Sequence, residues 1–240
     1  MNPFYDEVRR LSDCQKIIQE KIRHLAAEKG LTNKQCGPIP DGVEDIEGYL
    51  SSSPKVMWVL KEAWGEVSED GSVNGGGHCI YDSWDTTAFG ILTWDVMMYV
   101  MYGIRQGNKR VEYRDMPKAD DSMLTLLKQC AYTNVNKMPG YSRSGNLREE
   151  YAVWKHIIDE QIEIYNPEII IFGGTFDMIR KMGNQMLKDA QFIEKTPSDV
   201  AHLYRDTSGR LLLNAMHPAQ TTLGREWYID EIVDAIRKNL

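Results

Sequence analysis

Residues 131–182 constrain the fold more than any other stretch, because strand and helix patterns follow one another there without interruption. Residues 130–135 form a short run rich in small and β-branched residues, as in a strand, and the pair Pro139-Gly140 is expected to end that strand. Asn146, with Glu149 three residues later, has the pattern of a helix N-cap with a partial capping box. The sequence therefore predicts a strand followed by a loop and a capped helix.

The second half of this stretch predicts a buried strand. Apolar side chains recur at three- and four-residue steps until Asn166-Pro167, which is expected to end the helix. Residues 169–172 are continuously apolar, as is typical of a strand buried on both faces, and residues 175–182 again have a helical pattern. The order strand, helix, strand, helix predicts a βαβ unit of an α/β domain.

Two further predicted strands, residues 55–60 and 211–215, flank this unit in the sequence. A polar side chain stands just beyond the carboxyl end of three of the predicted strands: Glu62, Asn134 and His217. In an open parallel sheet, ligands bind at the edge where the strands end. These three residues are therefore the first candidates for a functional site.

Three short segments resemble motifs of the uracil-DNA glycosylase superfamily, particularly its short single-domain bacterial and archaeal type. Residues 133–137, which read Thr-Asn-Val-Asn-Lys and precede Pro139-Gly140, resemble the middle motif. Residues 60–65 resemble the first motif, in which a carboxylate follows a strand, and residues 216–219 resemble the last, in which His-Pro opens a DNA-intercalating loop. The resemblance covers roughly residues 55–240, and three matches in the right order are moderately specific.

The resemblance implies a fold and an activity. The fold is a three-layer α/β/α sandwich with a central, mainly parallel four-stranded sheet. The activity is that of a monofunctional DNA glycosylase, which hydrolyses the N-glycosidic bond of uracil or a related damaged base flipped out of DNA, as in base excision repair. Such hydrolysis requires no metal and no cofactor.

The resemblance also implies roles for the three polar residues. Asn134 reads the edge of the base, His217 hydrogen-bonds the uracil carbonyl as negative charge develops, and Glu62 positions water or offsets the cationic sugar. Each residue has a structural alternative. Asn134 could be a turn residue that bonds its own backbone. His217 could be a loop histidine whose hydrogen bonds are all made within the protein. Glu62 could form an ion pair with Lys61 or another basic residue.

The family stacks an aromatic ring on the flipped base, and Phe89 is the preferred candidate here, with Tyr81 and Trp84 as the other candidates. Any of the three could instead be a core aromatic. Leu60 and Trp64, which belong to the first motif, are predicted to contact the base. Trp64 departs from the family pattern because it stands where a Pro is expected, so that it either blocks the pocket above Asn134 or lines it.

The resemblance further implies contacts with DNA. We predict that Lys137 and Arg143 contact phosphates and that Leu223 or Arg225 inserts into the duplex, although residues 221–225 could equally be an ordinary helix entry. The overall charge opposes DNA binding, because 28 basic against 35 acidic residues leave a net charge of −7. A local patch would suffice, and residues 105–118 carry five basic residues, which could alternatively be a solvated loop.

Two other classes of function remain open. The chain could have the glycosylase fold without excising uracil and bind a nucleobase, a nucleotide or a protein partner, since a fold does not determine a function. A structural or interaction protein would need a large exposed apolar patch, which residues 96–102 could supply, although a core helix explains them more simply.

The remaining expectations come from composition. The 240 residues, 42% hydrophobic, predict one domain spanning residues 1–240, with residues 1–53 as a helical N-terminal extension packed on it. No apolar run reaches membrane length and no signal-peptide core is present, so we expect a cytoplasmic protein. We also expect a monomer. The cysteines Cys14, Cys36, Cys79 and Cys130 lack the paired spacing of a zinc or iron-sulfur site, so we expect no metal cluster.

Overall fold

The computed structural model of the chain describes residues 2–31, 38–67, 73–75, 84–140 and 146–240, and for residues 64–67, 73–75 and 140 it describes the backbone alone. The helices are α1 Pro3–Glu28, α2 Ile46–Ser51, α3 Leu92–Arg105, α4 Asp121–Lys128, α5 Leu147–Tyr165, α6 Phe176–Lys181, α7 Gln185–Asp189 and α8 Arg225–Asn239. The strands are β1 Val56–Val67, β2 Val73–Gly75, β3 Ala131–Gly140, β4 Ile169–Gly173, β5 Gln191–Lys195, β6 Ala201–Arg205 and β7 Leu211–Ala215.

The four predicted strands are neighbours in one sheet and run parallel in the order β3, β1, β4, β7. The α/β class is confirmed. A sheet of four strands is wrong, because β6 and β5 extend it with antiparallel pairing and β2 pairs antiparallel with the far end of β1. Strands β5 and β6 contain polar residues and lack the continuous apolar run that identified β4, since β5 is largely exposed at the sheet edge.

Strands β1 and β3 are longer than the sequence predicts. They stay paired beyond the end of β4, with Leu60 opposite Asn134 and Glu62 opposite Asn136. The predicted extents to residues 60 and 135 are therefore too short, whereas Gly140 of the predicted stop is the last residue of β3. Among the strands that the structure describes, β3 pairs with β1 alone. A proline is tolerated at such a sheet edge because its missing N–H leaves no ladder bond unmade there.

Helices cover both faces of the sheet. Alternate strand residues point to opposite faces, so Trp58 and Leu60 belong to one core cluster, with α3, α4 and α8, while Met57 and Val59 belong to the other, with α1, α5 and α6. Residues 96–101 are buried in the first cluster, so this part of α3 is core and not an exposed patch.

The ends of α5 differ in how well they match the prediction. Asn166 ends the helix in the left-handed conformation, with φ of 43°, as the pair Asn166-Pro167 predicts. Asn146 occupies the N-cap position, but its side chain makes no capping hydrogen bond, so the predicted partial capping box is not formed. No helix in the described ranges is long and apolar enough to cross a membrane.

Candidate functional site

The carboxyl ends of the four parallel strands place the predicted site residues along one edge of the sheet. Asn134 on β3 lies opposite Leu60 on β1, and Gly173 at the end of β4 lies opposite Ala215 on β7. With neighbouring strands about 4.8 Å apart, β3 and β7 are roughly 14 Å apart. Asn134 and the loop that follows β7 therefore approach the ends of β1 and β4 from opposite sides.

Two glycines allow the loop after β7 to lie close against β4. A Cβ atom on Gly173 would stand 2.9 Å from Leu60 Cδ2 and 3.0 Å from Pro218 Cδ. Gly174 has φ of +74°, and a Cβ there would stand 3.3 Å from Lys61 Cε and 3.7 Å from the backbone N of His217. Larger residues at these two positions would push the histidine loop away from the sheet.

His217 is held in one orientation at this edge. Its Nδ1 accepts a hydrogen bond from the backbone N–H of Ala219 at 3.1 Å, so in the neutral ring the proton sits on Nε2. Burial, together with the positive charge of Lys61, lowers the pKa of His217 to about 4. At neutral pH the imidazole is therefore uncharged and has an Nε2–H that can donate to an acceptor in the site.

Lys61 lies beside His217 and does not form the predicted alternative ion pair with Glu62. Its stem passes over Gly174, and no acidic residue of the described part of the chain is within ion-pair distance of its ammonium. The lysine thus adds a positive charge to the His217 end of the site.

Asn134 lies inside β3 and not in a turn, so the alternative of a turn residue does not hold. Only 5% of the residue is exposed, and its backbone N–H donates to Asp41 Oδ2 at 2.6 Å. Its side-chain carboxamide makes no hydrogen bond with any residue that the structure describes. The donor and the acceptor of this amide are therefore available to a ligand.

Glu62 lies within β1 and not in a loop after it, because β1 continues to Val67. It is half-buried, and it stands two residues beyond Leu60, so it points to the same face of the sheet. Leu60 is opposite Asn134, which places Glu62 one step further along the face that carries Asn134. A carboxylate, an amide and a neutral imidazole thus border this edge.

The aromatic candidates differ in their surroundings. Phe89 is half-buried and packs against the first core cluster, directly after a 3-10 turn at Thr86–Ala88. Trp84 is buried, with its ring centroid 4.4 Å from that of Trp94, so it is a core aromatic and not an open stacking surface. Tyr81 and the side chain of Trp64 lie outside the described residues.

Asp95 connects the loop of Phe89 to the start of α8. It accepts a hydrogen bond from the Gly90 N–H at 3.0 Å and pairs with Arg225 at 3.3 Å. Leu223 packs on the first core cluster, and its N–H donates to Gln220 Oε1 at 2.9 Å. The two residues predicted to insert into DNA are therefore both in contact with the protein itself, and insertion would require them to leave those contacts.

The prediction that Lys137 contacts DNA is wrong. Its side chain is fully buried, and its Nζ donates to Asp41, Thr133 and Gln161 at 2.5–2.9 Å. Burial lowers the pKa of Lys137, and the Asp41 carboxylate opposes that shift. A side chain with all three donors used inside the protein cannot reach a phosphate. Arg143, its predicted companion, lies outside the described residues.

Three of the five basic residues in the run 105–118 contact groups of the protein itself. Arg105 donates to the backbone carbonyl of Pro54 at 2.8 Å, while Arg110 pairs with Asp234 and Arg114 with Glu112. The alternative of an ordinary loop with locally balanced charges fits these contacts.

Two carboxylates that the sequence analysis overlooked therefore organise the site: Asp41 beside Asn134, and Asp95 between Phe89 and Arg225. The partners of Asp41 and the Arg225 partner of Asp95 lie more than 90 positions away in the sequence, so no motif or short spacing could identify these contacts. For Asp41 the one local signal is its position between Pro40 and Gly42, in a segment with no helical or strand pattern.

Two other kinds of site were considered among the described residues: a metal site and a surface groove. Among the described residues, no group of three or more His, Cys, Asp or Glu side chains could hold a metal ion; Cys36 and Cys79 lie outside them. A groove of about 490 Å³, lined by residues that include Asp159, Asn184 and Arg210, opens between α5, α7 and the turn before β7. It borders the amino ends of β4 and β7 and is separate from the edge that carries His217.

No protein-family model and no curated protein matches this chain.

Proposed function

We propose that this protein is a monofunctional DNA glycosylase that removes uracil or a related damaged base flipped out of DNA. The observation that carries the proposal is the pairing of two groups at one sheet edge. His217 is a neutral imidazole with its Nε2–H available, and Asn134 has a buried carboxamide with an available donor and acceptor. These are the two functions needed to read a base edge and to stabilise it as it leaves.

In the proposed reaction, the bond between the sugar C1′ and the base nitrogen breaks and its electron pair moves onto the base. The Nε2–H of His217 donates to the carbonyl oxygen on which the negative charge accumulates. At neutral pH the imidazole is uncharged, so His217 would stabilise the negative charge on the base as a neutral hydrogen-bond donor. Glu62 orients the water whose oxygen bonds to C1′, and the water's proton ends on the departing base, which leaves an abasic site.

Asn134 has the chemistry to recognise the base. Uracil presents a donor and an acceptor side by side on its pairing edge, and a carboxamide offers the complementary acceptor and donor. Cytosine presents the reverse arrangement, so a carboxamide held in one orientation prefers one of the two bases. Leu60, opposite Asn134, supplies an apolar surface, and Phe89 is the described candidate for stacking on the base.

The fold supports the proposal at a coarser level. Four adjacent parallel strands with helices on both faces agree with the α/β/α sandwich that the resemblance implies, although β5 and β6 extend the sheet beyond it. The polar groups lie at the carboxyl edge of these strands, where α/β proteins bind ligands.

A second candidate function is binding of a free nucleobase or nucleotide without excision. The observation that favours it is that three of the cations considered for DNA contacts are engaged within the protein: Lys137 is buried, and Arg110 and Arg114 are paired with acidic residues. Salt dependence separates the two. A protein that contacts several phosphates must lose DNA affinity steeply as salt rises, whereas binding of a neutral base is insensitive to salt.

The direct test of excision uses oligonucleotides with one uracil, single-stranded and opposite G or A, followed by alkaline cleavage of abasic sites. We expect cleavage by the wild type and a loss on the order of a hundredfold or more in His217→Ala and in Asn134→Ala. His202→Ala is the matched control, because His202 lies on β6 and contacts Asp199 at the protein surface. Absence of cleavage in every strand context, with the protein folded, would reject uracil excision and favour the binding function.

A further inference from the structure

The outer edge of β3 is covered by a segment of the N-terminal extension, residues 39–43, here called the edge segment. The N–H of Ile39 donates to the Lys137 carbonyl at 2.8 Å, and the N–H of Tyr132 donates to the Gly42 carbonyl at 3.0 Å. Between these two bonds, the N–H of Asn134 donates to the Asp41 carboxylate and not to a backbone group. The edge segment therefore holds the strand that carries Asn134 from the side opposite β1.

Asp41 is the centre of a buried network. The residue is fully buried, and its two carboxylate oxygens accept from Lys137 Nζ, from Gln161 Nε2 at 2.7 Å and from the Asn134 N–H. Lys137 and Gln161 are joined in turn, with Nζ 2.8 Å from Gln161 Oε1. A buried charge is stable only when it is paired and hydrogen-bonded, and this carboxylate is both.

The position of Asp41 is set from outside the sheet. The carboxamide of Gln15 on α1 bonds both the N–H and the carbonyl of Val43, at 2.9 and 3.0 Å, and the hydroxyl of Tyr165 on α5 donates to the same carboxamide. Gly42 fits this junction because a Cβ there would stand 2.5 Å from the Tyr165 hydroxyl oxygen. Helices α1 and α5 therefore fix the edge segment before it reaches β3.

The network and the site lie on opposite faces of β3 at the same point of the strand. Thr133 donates to Gln161 Oε1 at 2.6 Å on the α5 face, and the next side chain, that of Asn134, points to the other face. A shift of the strand at this point would move the carboxamide relative to Leu60 on β1. Positioning errors of about 1 Å can cost on the order of a hundredfold in rate.

We propose that Asp41 is the positioning residue for Asn134: its carboxylate ties the Asn134 peptide group to α5 through Lys137 and Gln161 and so fixes the carboxamide that reads the base. The inference rests on the proposed role of Asn134 in base recognition. It assigns the N-terminal extension, which lies outside the stretch that resembles the glycosylases, a direct part in the selectivity of the site.

A double-mutant cycle tests this inference through single-turnover uracil excision by the wild type, Asp41→Asn, Asn134→Ala and the double variant. We expect Asp41→Asn to slow excision by on the order of tenfold or more in the wild-type background and to add no loss once Asn134 is absent. Equal losses in both backgrounds would overturn the inference, because Asp41 would then act on the fold in general. A wild type without excision would instead count against the proposed function.

A second pair of variants guards against a folding defect and needs no catalysis. Asp41→Ala/Lys137→Met removes both buried charges together, and we expect it to move the NMR signals of the Asn134 carboxamide while those of Asn214 on β7 keep their positions. Glu231→Gln is the matched control, because Glu231 is a buried carboxylate that accepts the Ser198 N–H away from the site. An unchanged Asn134 carboxamide in the first variant would overturn the inference.

Discussion

The two ends of the candidate site are built in different ways. Asn134 is held by groups 27–93 positions away in the sequence, since Asp41 binds its N–H and Gln161 joins the same network. His217 is held by nearby groups: the Ala219 N–H bonds its ring, and the Tyr228 hydroxyl bonds the carbonyl of Met216 at 2.7 Å. Changes around Asn134 should therefore affect stability and function together, whereas changes around His217 should alter the chemistry with little effect on the fold.

The largest expected effect on stability is that of Lys137→Met, which leaves the Asp41 carboxylate buried without its cation. Removal of one partner of a buried ion pair costs about 3–5 kcal/mol of unfolding free energy. Urea denaturation followed by circular dichroism measures the change. Lys21→Met is the matched control, because Lys21 forms an exposed ion pair with Glu160, and such pairs contribute about 0–1 kcal/mol. Equal, small losses in the two variants would show that the network does not stabilise the Asn134 end.

Gly42→Ala should have an intermediate effect. Gly42 has φ of +152°, and a methyl group there would stand 2.5 Å from the Tyr165 hydroxyl and 2.6 Å from Gln15 Oε1, so the edge segment must move. Overpacking of this kind costs about 1–3 kcal/mol. Gly209→Ala is the control, because Gly209 also has a positive φ but no atom within 4 Å of the added Cβ. Thermal unfolding should separate the two, and an equal loss would mean that only backbone conformation matters at Gly42.

Lys61→Met should have the smallest effect, confined to the His217 end. The positive charge of Lys61 helps to lower the pKa of His217, so its removal should raise that pKa from about 4 toward 6.5, while burial keeps it below the ordinary value. Titration of the His217 ring by NMR measures the shift. Lys188→Met, at the opposite side of the domain beside Gly183, should leave the His217 titration unchanged. A pKa that stays at about 4 in Lys61→Met would assign the whole shift to burial.

The same pKa gives a stability prediction with a definite sign. An unfolded chain protonates His217 near pH 6.5, whereas the folded protein protonates it near pH 4. Between these values the unfolded state binds more protons, so the contribution of His217 to the unfolding free energy decreases as pH falls through this window. In Lys61→Met the window should become narrower.

Local patterns predicted one end of the site better than the other. The continuous apolar run of β4, the strand Leu211–Ala215 and the helix stop at Asn166-Pro167 all depend on neighbouring residues, and the structure has each of them where the sequence predicts it. His217 follows one of these strands by two residues, so its place at the sheet edge could be predicted from the position of that strand in the sequence.

The Asn134 end could not be predicted in the same way. Whether Lys137 faces solvent or the core depends on Asp41, which lies 96 positions earlier, and nothing in the motif records that partner. The continuation of β3 through Pro139 likewise depends on its position at the edge of the parallel strands. Strand β5 was missed because an exposed edge strand lacks the apolar run that identifies a buried one, and strand β6 was missed because polar residues interrupt its buried positions.

The most direct test of the whole account is the rate of uracil release from a single-stranded oligonucleotide under single-turnover conditions between pH 4 and pH 8. If release depends on His217 as a neutral donor, as proposed, its His217-dependent part should stay constant from pH 8 to about pH 5. It should decrease only near pH 4, where protonation of Nδ1 would break the hydrogen bond from the Ala219 N–H that orients the ring. No release at any pH, or release whose His217-dependent part increases as pH falls toward 4 because it requires the protonated imidazole, would contradict the account.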